Sequence, residues 1–347
     1  MSATLLDTRR KKILQAIVER YIETASAVSS EAVAKLFRWR VSSATIRNVM
    51  AELSEAGFIW QAHTSGGRIP TDKAYRYYID ALLDLEQLTA AERQLIESQY
   101  LGRNEVFDEL LREVLRILSH FVGYTAIAFS SGLRKILFKK LEFVSVESTK
   151  LLVVLVSADG AVKTTVVQLP YQIEQEQLFK IARFLSDEFS GLTLGEVKER
   201  LAAQLLASSD SWFHLLRKTA DILELIWPNF DKDELYLEGA NFIFAQPEFQ
   251  NSQNLQAVLR TFSEEQPLLE IMKESLEQDG VSVHIGKENP YQDIHECSLV
   301  ICNFKNKNSN IGALGVIGPR RMSYSKAIST VRYVARIFSE SIAGLNL

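Results

Sequence analysis

Arg47 and Asn48 stand side by side in the stretch from Val41 to Phe58, where the residues around them recur with the period of a helix. A guanidinium can fork onto the two acceptors of guanine and a carboxamide can pair with adenine, so these two types suit the reading of base edges in a major groove. Ala44, Arg47, Asn48 and Ala51 repeat at i, i+3, i+4 and i+7, which sets them on one face; Ile46, Val49, Met50 and Leu53 repeat identically on the opposite face. Small side chains beside Arg and Asn let a helix backbone approach the bases closely. Ser42 or Ser43 caps the start and Gly57 ends the run. The spacing predicts a DNA-recognition helix, with Ser43, Ala44, Thr45, Arg47 and Asn48 meeting DNA.

Such a helix needs a frame, and the flanking sequence supplies one. Ile13, Leu14, Ile17, Val18, Tyr21 and Ile22 form a doubled apolar stripe, so a first helix spans about 7–24. A second is expected over about 29–37, apolar at Ala32, Val33, Leu36 and Phe37, with Arg38-Trp39-Arg40 as the corner into the third. Downstream, Phe58 to His63 reads as a strand, Ser65-Gly66-Gly67 as a tight turn whose glycines supply positive φ, and Arg68-Ile69-Pro70 as the returning strand. A hairpin there is a wing. His63, Thr64, Ser65 and Arg68 are expected to meet phosphate or the minor groove. Thr71 then caps a helix from Asp72 to Leu85. The plainer alternatives are a three-helix protein-interaction module and a merely solvated Arg47.

Charge agrees with the assignment. Residues 1–80 hold 12 Lys+Arg against 8 Asp+Glu, net +4, and the remainder holds 27 against 35, net −8. Nucleic-acid binding should therefore come from a local patch and depend steeply on salt.

At 347 residues the full chain is long enough for two or three domains, and its 47% hydrophobic content suffices for real cores. Thr89 and Glu92 make a capping box for a short helix. An apolar helix over about 104–122 follows, then strands at about 136–146, 150–157 and 161–169, the last two joined by Ala158-Asp159-Gly160. Three helices fill Gln172 to Trp227, closed by Pro228. Strand chemistry resumes at Leu235–Phe244, and after two more helices at 281–286, 296–304 and 310–317, before a last helix at 324–343. A sheet interrupted by a mainly helical block suggests one domain inserted in another. The helices at 104–122 and 173–227 are candidates for dimer contacts, or ordinary core.

Several functions are disfavoured. Gly312 to Gly318 lacks the Lys-Ser/Thr end of a phosphate-binding loop and is itself strand-like. His120, His214, His284 and His295 show no ligand spacing, and no Ser or Cys sits in a nucleophile context, so neither an enzyme nor a bound metal or other cofactor is expected. Cys297 and Cys302 lie five apart in a strand-like run, on opposite faces, which argues against a disulfide and for a reducing compartment. With no membrane span and no signal-peptide pattern, a cytoplasmic location is expected.

Ser43-Ala44-Thr45-Ile46-Arg47-Asn48, His63 through Thr71, and Tyr75-Arg76-Tyr77-Tyr78 closely resemble the HrcA family of bacterial heat-inducible transcription repressors. The likeness continues in Leu235 through Ala240, Val283 through Asn289, and Gly315 through Met322, so it runs almost end to end. It implies a homodimer that binds an inverted-repeat operator in double-stranded DNA upstream of chaperone operons, kept active by a GroEL-type chaperonin until heat stress titrates that chaperonin away. It also implies an α+β architecture. An N-terminal winged helix-turn-helix (1–85) would be followed by a GAF-like sheet domain (86–170 and 281–347), split by an inserted dimerisation domain (171–280). Two departures are visible: Ser29-Ser30-Glu31 stands where a Gly-Ser-Arg-like start of the second helix is usual, and Gly66 replaces a more usual Ala. The competing reading is a winged-helix regulator gated by a metabolite bound in the GAF-like domain.

Overall fold

The computed structural model describes residues 6–37, 41–61, 67–100, 107–131, 137–158, 162–207, 212–230, 233–278, 280–306 and 309–344. The N-terminal unit comprises α1 (Thr8–Thr24), α2 (Ser30–Leu36), α3 (Ser43–Glu55), β1 (Ile59–Gln61), β2 (Arg68–Pro70) and α4 (Asp72–Ala81). Side-chain oxygens open each helix by accepting a backbone N–H: Asp7 for α1, Ser29 for α2, Ser42 for α3 and Thr71 for α4. The apolar stripes meet in one core, where Ile13, Leu14, Ile17, Val33, Ile46 and Leu53 are almost wholly buried. In α2 it is Val33 and Ala34 that face inward, and Leu36, expected on the buried face, is 54% exposed. α4 stops four residues short of Leu85. Ser325 and Ser329 donate their hydroxyls to the carbonyls of Asp84 and Glu86, and the Ser325 hydroxyl accepts the Glu86 N–H, which holds this connection out of helical form.

Beyond it come α5 (Ala90–Tyr100), α6 (Phe107–Val122), β3 (Thr125–Ser130), β4 (Phe138–Glu147), β5 (Lys150–Ser157), β6 (Val162–Gln168), α7 (Gln175–Phe189), α8 (Leu194–Ala207) and α9 (Trp212–Phe230). The chain finishes with β7 (Glu234–Glu238), α10 (Asn241–Phe244), α11 (Ser252–Glu264), α12 (Gln266–Ser275), β8 (Val281–Ile285), β9 (Cys297–Asn306), β10 (Ser309–Pro319) and α13 (Tyr324–Gly344). Five strands in the order β7-β3-β10-β9-β8 make an antiparallel sheet, and β4-β5-β6 make a second one. Phe107, Leu111 and Leu115 of α6 pack with Val331 and Phe338 of α13 on one side of the five-stranded sheet. Leu268, Ile271 and Met272 of α12 cover the other side, against Ile127, Phe129, Leu299 and Ile301. Cys297 and Cys302 fall in the cores on opposite faces, as their spacing requires.

The division of the chain differs from the expected one. The inner face of the three-stranded sheet, Leu141, Phe143, Leu151, Val153 and Leu155, buries itself against Leu178, Ile181 and Leu185 of α7 and Ile222 and Ile226 of α9, a core of its own. Residues 138–230 thus form one α+β unit, not a helical block beginning at 171. β7, α11 and α12, expected in that block, go with the five-stranded sheet: β7 pairs with β3 from Ala126↔Glu238 to Ser130↔Glu234, and Val258 of α11 and Leu268 of α12 pack in its core. β3 itself was not anticipated. Two smaller corrections concern α9, which runs past Pro228 to Phe230, and Asn241–Phe244, which is a helical turn instead of a strand end.

Candidate nucleic-acid interface

The geometry of α3 follows from its caps and stripe. Ser42 Oγ accepts the Thr45 N–H at 3.1 Å and lies 2.9 Å from Thr45 Oγ1, fixing the first turn; Gly57, at φ +76°, turns the chain out of the helix. Ile46, Val49, Met50 and Leu53 are buried, and Ala44, Arg47, Asn48 and Ala51 are exposed on the other side. Among the described residues, neither Arg47 nor Asn48 has a hydrogen bond or ion pair. Ser43 is half-exposed at the first helical position. Thr45 is half-exposed too, with its hydroxyl engaged by the cap. No acidic residue occupies the first turn of α3, so its N-terminal amides present uncompensated positive potential. The nearest carboxylate on this helix, Glu52, is held by Arg10 Nε at 2.8 Å.

α2 offers a contrast. Glu31 sits in its first turn and is exposed, which disfavours phosphate at that helix start.

The wing begins as expected, with Ile59↔Pro70, Trp60↔Ile69 and Gln61↔Arg68 in antiparallel register. His63, Thr64 and Ser65 lie outside the described residues, as do Gly66 and the corner 38–40. Arg68 is half-buried. Its backbone exchanges two hydrogen bonds with Val28, at 2.8 and 2.9 Å, so the turn between α1 and α2 adds a third partner to the hairpin. This contact also corrects the role of Gly67. It does not adopt positive φ; instead a Cβ there would lie 2.6 Å from the Val28 carbonyl, so close backbone approach requires the glycine. The Arg68 Nε is buried without a partner among the described residues, leaving the guanidinium short of one acceptor. Trp60, half-exposed on β1, is a wing residue that the sequence reading passed over, although alternation with buried Ile59 points it outward.

α4 holds this assembly from behind. Thr71 Oγ1 donates to the Gly57 and Phe58 carbonyls, and Lys73 Nζ donates to the Ala56 carbonyl at 2.8 Å while lying 4.5 Å from the centre of the Phe58 ring. The end of α3 is thereby fixed to α4.

Among the described residues no cluster of His, Cys, Asp and Glu is placed to hold a metal, and no helix is long and apolar enough to cross a membrane.

Three helices, a pinned hairpin and an unpartnered Arg/Asn face on the third helix define a winged-helix DNA-binding regulator. Residues 5–81 match the family described as winged helix-turn-helix transcription repressor, HrcA DNA-binding, and residues 108–328 match HrcA protein C terminal domain. The heat-inducible transcription repressor HrcA of Syntrophobacter fumaroxidans is 34% identical over 339 residues, covering 96% of this chain and 97% of that one. The protein of the same name from Geobacter sulfurreducens is 33% identical over 341 residues, covering 98% and 99%. The chain belongs to the HrcA family of heat-inducible transcription repressors. A crystal structure described as a hypothetical protein shares the fold, with a TM-score of 0.65 at 23% identity over 98% of this chain and 100% of that one.

Proposed function

We propose that the chain represses transcription as a homodimer that sets two copies of α3 into successive major grooves of an inverted-repeat operator upstream of chaperone operons. The observation that carries this reading is the α3 face: Arg47 and Asn48 exposed between Ala44 and Ala51, with no partner in their own chain among the described residues. Arg47 forks onto guanine, Asn48 pairs with adenine, and Ser43, Ala44 and Thr45 bring the helix start to the phosphates. His63, Thr64, Ser65 and Arg68 contact the backbone or minor groove beside it.

Dimerisation is supported by a surface the sequence reading did not single out. The apolar residues of α6 and the inward stripes of α7 and α9 are consumed in cores. The outer face of the three-stranded sheet is not: Val144, Leu152 and Val166 lie in one cross-strand row, followed by Val154 between Glu142 and Thr164 and by Val156 between Lys140 and Val162, the two edge strands being the most exposed. A second copy of this sheet is the self-complementary cover for such a face, and two-fold symmetry of the protein would match that of the operator. The 138–230 unit is then the inserted dimerisation domain, and the five-stranded unit the GAF-like one.

The family resemblance adds the control. A GroEL-type chaperonin keeps the repressor active, and heat-damaged proteins that occupy the chaperonin release the chaperone genes. A face of exposed valines, uncovered whenever the dimer parts, is a surface for such assistance.

The test is a salt-titrated binding assay on a chaperone-promoter fragment carrying the inverted repeat and on a scrambled control, with and without chaperonin. Selective binding strengthened by chaperonin is expected. Metabolite gating has a structural feature in its favour, an open cavity of about 540 Å³ between residues 85–88 and α13, lined by Arg93, Ser329, Arg332, Tyr333 and Arg336. Operator affinity that responds to a low-molecular-weight extract and not to chaperonin would favour that reading instead.

A further inference from the structure

The sequence strings around Tyr75, His284 and Arg320, far apart in the chain, converge on one place: the side of α4 turned away from α3. Arg76 grips Glu288 with both arms of its guanidinium, Nε to Oε1 at 2.9 Å and Nη2 to Oε2 at 2.5 Å, and Nη2 also donates to the Val283 carbonyl at 2.6 Å. Asp72 accepts Arg320 Nη1 at 3.0 Å on one oxygen and the Lys287 N–H at 3.1 Å on the other. Arg320 is itself paired with Glu296 at 2.8 Å, and Glu288 also accepts the Ile285 N–H at 2.9 Å. Between these pairs the rings of Tyr75 and Tyr324 pack 5.9 Å apart, both buried. The approach is close enough that a Cβ on Gly286, at φ +50°, would lie 2.5 Å from the Asp72 carboxylate. On its other side the same short helix holds the end of α3 through Thr71 and Lys73.

We infer that this contact is a latch that fixes the angle between the winged helix and the body, and that Asp72, Arg76, Glu288 and Arg320 are positioning residues for operator recognition. A short helix with bidentate, directional pairs on one side, and with Ala56 to Phe58, the residues that leave the recognition helix, held by Thr71 and Lys73, transmits the orientation of the body to α3. Ring packing is non-directional; the four charged groups with fixed partners add direction to a contact that Ser325, Ser329 and the Arg321 bond to the Ile22 carbonyl also tether. In a dimer, two such latches set the separation and relative angle of the two recognition helices, and so the half-site spacing that the repressor accepts. This inference rests on the paired-site reading above.

The experiment measures full-length protein against a single half-site and against inverted repeats whose spacing is varied through half a helical turn. Wild type should prefer one spacing by roughly tenfold or more, because simultaneous engagement is lost when geometry forbids it. The charge reversals Arg76→Glu and Glu288→Arg should each flatten that preference severalfold while leaving affinity for the single half-site, the check on winged-helix folding, within about twofold. The double reversal Arg76→Glu/Glu288→Arg should restore the preference, and the milder Glu288→Gln should fall between. Variants that keep the wild-type preference would overturn the latch while leaving the paired-site reading intact. A wild type indifferent to spacing would overturn both. Variants that lose half-site affinity as severely as repeat affinity would show α4 to be a part of the winged-helix core and not a positioning device.

Discussion

Among the described residues, two faces without a partner in the chain differ sharply in their chemistry. The outer face of α3 presents Arg47 and Asn48 among alanines at the basic end of the chain; the outer face of the β4-β5-β6 sheet, in the acidic remainder, presents mostly valines and a leucine, with Lys140, Glu142 and Thr164 at one end. A polar, directional surface can discriminate among ligands because an unmatched donor costs more than a matched one returns. An apolar surface is non-directional and gains mainly by leaving water, so it suits a partner of fixed shape, such as its own copy. On the reading proposed above, one face chooses a sequence and the other brings two choosers together.

The largest effect expected from separating these roles is on folding of the reader itself. Leu53→Ala empties a fully buried site behind the α3 face and should destabilise the winged helix by ~2–5 kcal/mol, seen as an earlier thermal transition and as loss of binding to operator and random DNA alike. Next comes the second face. Leu152→Asp places a charge at the centre of the outer sheet row without touching the inner core; it should convert the dimer to monomer in sedimentation analysis and weaken operator binding by about 100-fold, with half-site affinity unchanged. A Leu152→Asp protein that stays dimeric would assign self-association to another surface. The smallest of these effects is Arg68→Ala, which should weaken specific and random DNA equally and lower the slope of log K against log salt by about one.

The two faces were not equally legible in the sequence. The α3 face was, because a helix writes its two sides at spacings of three and four, and caps at Ser42 and Gly57 mark where the pattern begins and stops. The sheet face was written just as regularly, with Val153 and Leu155 inward and Leu152, Val154 and Val156 outward. In β5, however, both sides are apolar, so alternation carries no contrast and the strand reads as an undivided hydrophobic run. β3 was missed for a related reason: Thr125 to Phe129 are all buried, Ala126 and Ala128 are poor markers of a strand, and the pairing partners β7 and β10 lie more than a hundred residues downstream. The unit boundaries failed because strand chemistry says that a segment pairs without saying with which sheet. The Arg76–Glu288 and Asp72–Arg320 pairs were hidden by the same distance, their partners lying 212 and 248 residues apart.

Whether the α3 face reads sequence is decided by comparing Arg47→Ala with wild type on operator and scrambled duplexes across a salt series. A reading role for Arg47 gives a loss of ~1–3 kcal/mol on the operator, little change on the scrambled duplex, and relaxed preference at one base pair of each half-site. Equal losses on the two duplexes would contradict it, reducing Arg47 to one more cation near phosphate and leaving the choice of sequence to some other part of the chain.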